Sequence, residues 1–223
     1  MLSSIAHKIL KNVKPGFIFI SVMWLVFAID AIFSLSLRKY GIYPRTLDGL
    51  LGVLSSPFLH GSLSHLWNNT IPALLLITAL RSFYRSEALK VFCLGMVLTG
   101  MLTWIMGRPS YHIGASGVIY MLAAFLIFKG LIAKHFKLVA LSFAILFFYG
   151  SLIWYIFPIV KGMSWEGHLA GLLTGLGLSL IIKVKPQASS KFNWETSSYD
   201  ESTDPFMQQF DSEGNFIEVS EEE

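Results

Sequence analysis

Residues 16–37 read GFIFISVMWLVFAIDAIFSLSL, an apolar run with a single charged side chain, Asp30, and no polar stripe. A helix needs about 20 such residues to cross the hydrocarbon of a bilayer. The run is therefore read as a membrane span. It is too long for the apolar stretch of a signal peptide, and no small-x-small cleavage site follows it, so it is read as uncleaved.

Working outward, further apolar runs lie at Leu66–Leu80, Ala88–Met106, Ile113–Phe128, Phe136–Ile159 and Trp165–Ile182. Those at Leu66–Leu80, Ile113–Phe128 and Trp165–Ile182 are short or polar at one end, but they alternate at short loop distances with the others. Backbone polar groups in lipid must be satisfied within the segment, which leaves helices as the simplest solution. The expected fold is all-α: a polytopic membrane protein whose six transmembrane helices bundle together, with a structured first loop between Arg38 and His60. Composition agrees, with 54% apolar and 14% charged residues and a mean hydropathy of +0.60, against about 25% charged in soluble domains. The lone cysteine, Cys93, excludes an intramolecular disulfide and a cysteine metal site, and is expected to be a buried, inert thiol.

Charge divides the chain. Residues 186–223 hold ten acidic side chains and one basic one, Lys191, a net −9, and the remainder carries +12. The expected organisation is a cytoplasmic segment over 1–14, a six-span domain over 15–185 and an acidic, disordered cytoplasmic tail over 186–223. Cytoplasmic loops collect Lys and Arg. With the N-terminus inside, Lys8, Lys11, Lys14, Arg81, Arg85, Lys90, Lys129, Lys134, Lys137, Lys183, Lys185 and Lys191 lie inside. Arg38, Lys39, Arg45, Arg108 and Lys161 then lie outside, twelve against five. Both termini are expected in the cytoplasm, and a bacterial inner membrane is the expected location.

Polar groups within spans are costly and mark function. Ser116 stands in Gly114-Ala115-Ser116-Gly117, where small neighbours admit a substrate backbone or, more blandly, allow helix packing. Val118 occupies the last glycine position of a G-x-S-x-G elbow. His168 adjoins Gly167, Gly171 and Gly175, a four-residue spacing that permits close helix contact; it is a base or a structural hydrogen-bonding residue. His65 and Asn69, four apart, share a helix face and are donors to a negative oxygen or polar caps of a helix end. Asp30 is expected to contact a neighbouring helix or to reach a wet cavity. With the orientation taken from Lys and Arg alone, the second, fourth and sixth spans all begin at the outer face. His65, Asn69, Ser116 and His168 then share one depth, a few ångströms below it at about 1.5 Å per residue. Three helix N-termini and the Ser116 N–H converging there suit an oxyanion.

Taken together, His60-x4-His65-x3-Asn69, Gly114-Ala-Ser-Gly117 and Gly-His168-Leu-Ala-Gly171 resemble the motifs of the rhomboid intramembrane serine proteases, over roughly residues 15–183. The resemblance implies that Ser116 is the nucleophile and His168 the general base, with no aspartate. It makes His65, Asn69 and the Ser116 backbone the oxyanion site and Tyr120 a residue stacked on His168. It further implies that Gly171 is the glycine that lets the fourth and sixth helices touch, His60 a structural histidine, and Pro158–Ser164 a cap with the fifth span as side wall. The implied substrates are transmembrane helices of single-span membrane proteins, cut near their outer end. No cofactor, metal or nucleic acid is expected. The first loop departs from the pattern: Tyr43-Pro44-Arg45-Thr46-Leu47-Asp48-Gly49-Leu50 lacks the Trp-Arg pair that many of these proteins carry. Gly167 also replaces a common alanine.

The alternatives are an inactive relative that binds client helices, a metalloprotease using His60, His65, His112 and His168, and a transporter. The second lacks H-E-x-x-H. The third would place its polar residues at mid-membrane. His112, four residues before Ser116, is a competing base or a loop residue.

Overall fold

The computed structural model describes residues 2–133, 136–160, 162–184, 192, 194 and 196–217. Two compact units divide the chain, Met1–Pro186 and Gln187–Glu223.

The first unit is a bundle of helices: α1 (Leu2–Phe33), the short α2 (Leu47–Leu50) and α3 (Gly52–Ser55), α4 (Leu63–Phe83), α5 (Ala88–Met106), α6 (Ser116–Ala133), α7 (Phe136–Tyr149) and α8 (Trp165–Ile181). Three of the long helices, over Ile9–Phe33, Ala88–Met106 and Ser116–Ala133, are each long and apolar enough to cross a membrane. The chain folds as a helical membrane bundle. At the centre stands α6, where Met121, Leu122, Phe125 and Leu126 are fully buried against Leu66, Leu76 and Leu80 of α4 and Met23 of α1. At the rim, α1 exposes Phe17, Ile18, Leu25, Ile32 and Phe33. Neither α6 nor the part of α1 beyond Pro15 has a polar face, as expected of helices surrounded by protein or by lipid.

Several boundaries differ from the sequence expectation. The first helix stops at Phe33 rather than Leu37, because Ser34 and Ser36 take positive φ (52° and 55°). Asp30 accepts the Leu37 amide at 3.0 Å, so it ties the end of α1 to the start of the 3-10 turn Leu37–Tyr40. The helix at α6 begins at Ser116, not Ile113, because Gly114 has φ 107°. The run Phe136–Ile159 is not one helix: α7 ends at Tyr149 and a 3-10 stretch, Gly150–Ile156, follows. Cys93 is exposed on α5 rather than buried.

The first loop is anchored without a Trp-Arg pair of its own. Arg45 donates to the carbonyls of Ile105 (3.0 Å) and Gly107 (2.8 Å) at the end of α5, and Trp104 Nε1 donates to the Thr46 carbonyl (2.8 Å). The tryptophan is supplied by α5. Ile42 and His112 exchange backbone hydrogen bonds (3.0 and 2.8 Å), and the Gly114 amide donates to the Ser56 carbonyl (2.8 Å). The loop thereby braces the segment that leads into Ser116.

In the second unit, short 3-10 turns at Glu201–Thr203 and Met207–Gln209 precede a turn in which Asp211 accepts from the amides of Glu213 and Asn215. Phe210 bridges to Phe216 across that turn.

Candidate active site

Ser116 opens α6 and His168 lies in the first turns of α8. The two helices run parallel in close contact, because a Cβ at Gly171 would overlap the Gly117 carbonyl and one at Gly175 would overlap the Met121 carbonyl. Gly117 answers from the other side, where a Cβ would come within 3.2 Å of the Gly167 carbonyl. Across this contact the Ser116 hydroxyl lies 2.9 Å from His168 Nε2.

Two further contacts hold the imidazole. Its Nδ1 lies 2.9 Å from the Tyr155 carbonyl, in the 3-10 stretch after α7. A carbonyl only accepts, so Nδ1 carries the proton and Nε2 turns a lone pair toward the Ser116 hydroxyl. The Tyr120 ring stacks on the imidazole with centroids 4.4 Å apart and planes 4° from parallel. Tyr120 is one turn beyond Ser116, so the same helix supplies the serine and the platform.

The positive φ of Gly114 and its missing side chain open the flank of the Ser116 turn. A Cβ there would stand 2.5 Å from His65 Nε2 and 3.7 Å from Asn69 Nδ2. His65 and Asn69 thus face the residues just before Ser116, on a helix whose start is capped by Ser62 accepting the His65 amide (3.1 Å). Asn69 Nδ2 donates to the His65 carbonyl (2.9 Å), which uses one of its two N–H groups and fixes the amide's rotation. His60 sits behind, its ring edge-on to His65 at 4.9 Å. Burial, and then the neighbouring His65, lower the His60 pKa to about 4. His60, His65, Asn69, Ser116, Tyr120 and His168 are therefore brought to one locality, while Asp30 lies apart at the end of α1.

His112 is not within the dyad. It lies buried between Ser164 Oγ (2.6 Å) and the Arg108 carbonyl (3.1 Å), and burial lowers its pKa. A cavity of about 30 Å³ adjoins Ser116, lined in part by Thr99, Thr103, His112 and Ser164; that is room for a water molecule. Among the described residues no group of three or more His, Cys, Asp or Glu side chains is placed to hold a metal ion.

Sequence reasoning missed the Tyr155 carbonyl, because a main-chain acceptor leaves no residue-type signal. It also missed Glu166, whose carboxylate is buried against Arg108. An acidic residue in a helix's first turn ordinarily marks the helix dipole, and nothing local names a partner 58 positions away.

A profile described as the Rhomboid domain matches residues 48–185. Uncharacterized proteins of Mycobacterium tuberculosis and Mycobacterium bovis are each 34% identical to this chain over 167 residues, covering 71% of it and 70% of their own length. An uncharacterized protein of Mycobacterium leprae is 32% identical over 167 residues, 66% of its length.

Proposed function

The chain belongs to the rhomboid family of intramembrane proteases, and we propose that it is itself an active serine endopeptidase with Ser116 as nucleophile and His168 as general base. The observation that carries this reading is the 2.9 Å approach of the Ser116 hydroxyl to an imidazole nitrogen whose opposite nitrogen is committed to a carbonyl.

In this mechanism His168 Nε2 takes the proton as Ser116 Oγ attacks a substrate carbonyl, and later returns it to the leaving amine. In place of a carboxylate, the Tyr155 carbonyl selects the tautomer and Tyr120 holds the ring plane. The tetrahedral oxyanion forms beside Gly114, which His65 and Asn69 flank, with the Ser116 N–H, the second Nδ2 hydrogen of Asn69 and His65 as its donors; each such donor contributes about 3 kcal/mol. Water then hydrolyses the acyl-enzyme, and the cavity beside Ser116 has room for it.

The substrates are single-span membrane proteins. A folded helix keeps its carbonyls engaged, so cleavage requires local unwinding, which Gly and other weak helix formers favour. The charge distribution, twelve basic residues against five, supports a bacterial inner-membrane protein with cytoplasmic termini and a site near the outer face.

The test is cleavage of a transmembrane substrate by the purified protein and by Ser116→Ala. The wild type cuts and is labelled at Ser116 by a fluorophosphonate, and the variant does neither. Equal cleavage by both would overturn the reading.

A further inference from the structure

Beside the dyad lies a polar cluster that the mechanism above does not use. Glu166 is 1% exposed. Its carboxylate accepts from the Arg108 amide (3.2 Å) and from the guanidinium at 3.0 and 2.9 Å, while the other arm of Arg108 donates to the Met163 carbonyl (2.7 Å). A second chain of bonds runs parallel to this one. The Arg108 carbonyl only accepts, so His112 Nε2 carries the proton toward it (3.1 Å). His112 Nδ1 then accepts the Ser164 hydroxyl (2.6 Å), and Ser164 Oγ in turn accepts the Gly167 amide (3.3 Å), capping α8. Every one of these bonds between segments joins residues 108–112 to residues 163–167. The first segment leads into Ser116 and the second into His168.

We propose that Arg108, Glu166, His112 and Ser164 form a clasp that sets the axial register of α8 against the start of α6, making them positioning residues for the dyad; this rests on the function proposed above. The physical need comes from the glycines. Gly117, Gly171 and Gly175 bring the backbones together with no side chain between them, which sets the distance between the helices and leaves their axial register to other contacts. A slide of one residue, about 1.5 Å, stretches and misaligns the 2.9 Å contact between Ser116 and His168. Directional, charge-assisted bonds from a forked guanidinium resist that slide. Burying a carboxylate is otherwise a poor source of stability, and a register role is the best-attested reason to keep one.

The experiment compares wild type, the paired substitution Arg108→Met with Glu166→Leu, Glu166→Gln and Arg108→Lys. It measures kcat and KM on a transmembrane substrate, the melting temperature, and the ring 15N spectrum of His168 in histidine-labelled protein. The apolar pair keeps the bundle packed, so its melting temperature and KM stay near wild type. Its kcat falls roughly ten- to a hundred-fold, and its ring spectrum moves toward that of Ser116→Ala. Arg108→Lys recovers part of the loss, because it keeps charge without the fork. If the apolar pair does not fold, Glu166→Gln, which keeps the shape and one acceptor, carries the same expectation. Wild-type kcat with an unchanged ring spectrum in the variant that folds would overturn the clasp. If the wild type shows the hydrogen-bonded ring signature but cuts nothing, the protease reading fails instead, and the clasp is judged on the spectrum alone.

Discussion

The helix pair α6–α8 carries a polar contact at each end, and the two ends differ in kind. At the N-terminal end, Ser116 meets His168 at 2.9 Å. At the C-terminal end, Lys129, 7% exposed, donates to the Ser179 carbonyl at 2.9 Å. The Lys129 contact is buried and the Ser116–His168 contact half-buried, and both join the same two helices. Ser179 stands in the last turn of α8, where carbonyls lack helical partners and the dipole is negative, so an ammonium there completes a structure. At the other end the imidazole's Nδ1 is engaged by Tyr155, its face by Tyr120, and its Nε2 faces the Ser116 hydroxyl. Polarity inside the bundle therefore does not identify chemistry. The proposed function rests instead on a lone pair held in place beside a hydroxyl.

This contrast breaks most sharply at the dyad. Ser116→Ala or His168→Ala should lower kcat by about ten-thousand-fold or more, measured on a purified transmembrane substrate, with the melting temperature unchanged for Ser116→Ala. Next in size, Gly171→Val forces a side chain against the Gly117 carbonyl; overpacking of this kind costs about 3 kcal/mol. Both stability and cleavage should fall, read by thermal unfolding in detergent alongside turnover. Asn69→Ala should reduce kcat about a hundred-fold and leave unfolding nearly unchanged, which separates the oxyanion flank from the packing that surrounds it. The smallest effect belongs to the other end. Lys129→Met strips a hydrogen bond from the Ser179 carbonyl, worth about 1 kcal/mol, and kcat per folded molecule should stay at the wild-type value. A loss of turnover at Lys129 comparable to that at Asn69 would show that the two ends are not separable.

Much of the bundle was legible because span length and apolarity are local properties. Ala88–Met106 matches α5 at both ends, with Glu87 and Gly107 punctuating a run whose one charge, Lys90, lies in its first turn. The start of α6 was not legible. Ile113, Gly114 and Ala115 are as apolar as the helix they precede, and only the φ of Gly114 excludes them from it. The break after Tyr149 was equally hidden, since Gly150–Ile156 reads as a continuation. Cys93 shows the limit of hydropathy: in a lipid-facing chain an apolar run has no necessary inside. The site residues were legible as types and as shared depth. The Arg108–Glu166 ion pair was not, because its partners lie on separate elements that only the closed bundle brings together.

By itself, the sequence determined that this is a helical membrane protein with Ser116, His168, His65 and Asn69 near one level, since backbone hydrogen bonding in lipid and rise per residue follow from short stretches of chain. Only the tertiary structure decided which lone pair faces Ser116, what holds the ring, and which charges lock the two helices in register. Those depend on angles and hydrogen-bond distances between segments far apart in the chain (|i−j| = 52 for the dyad), which no local pattern encodes.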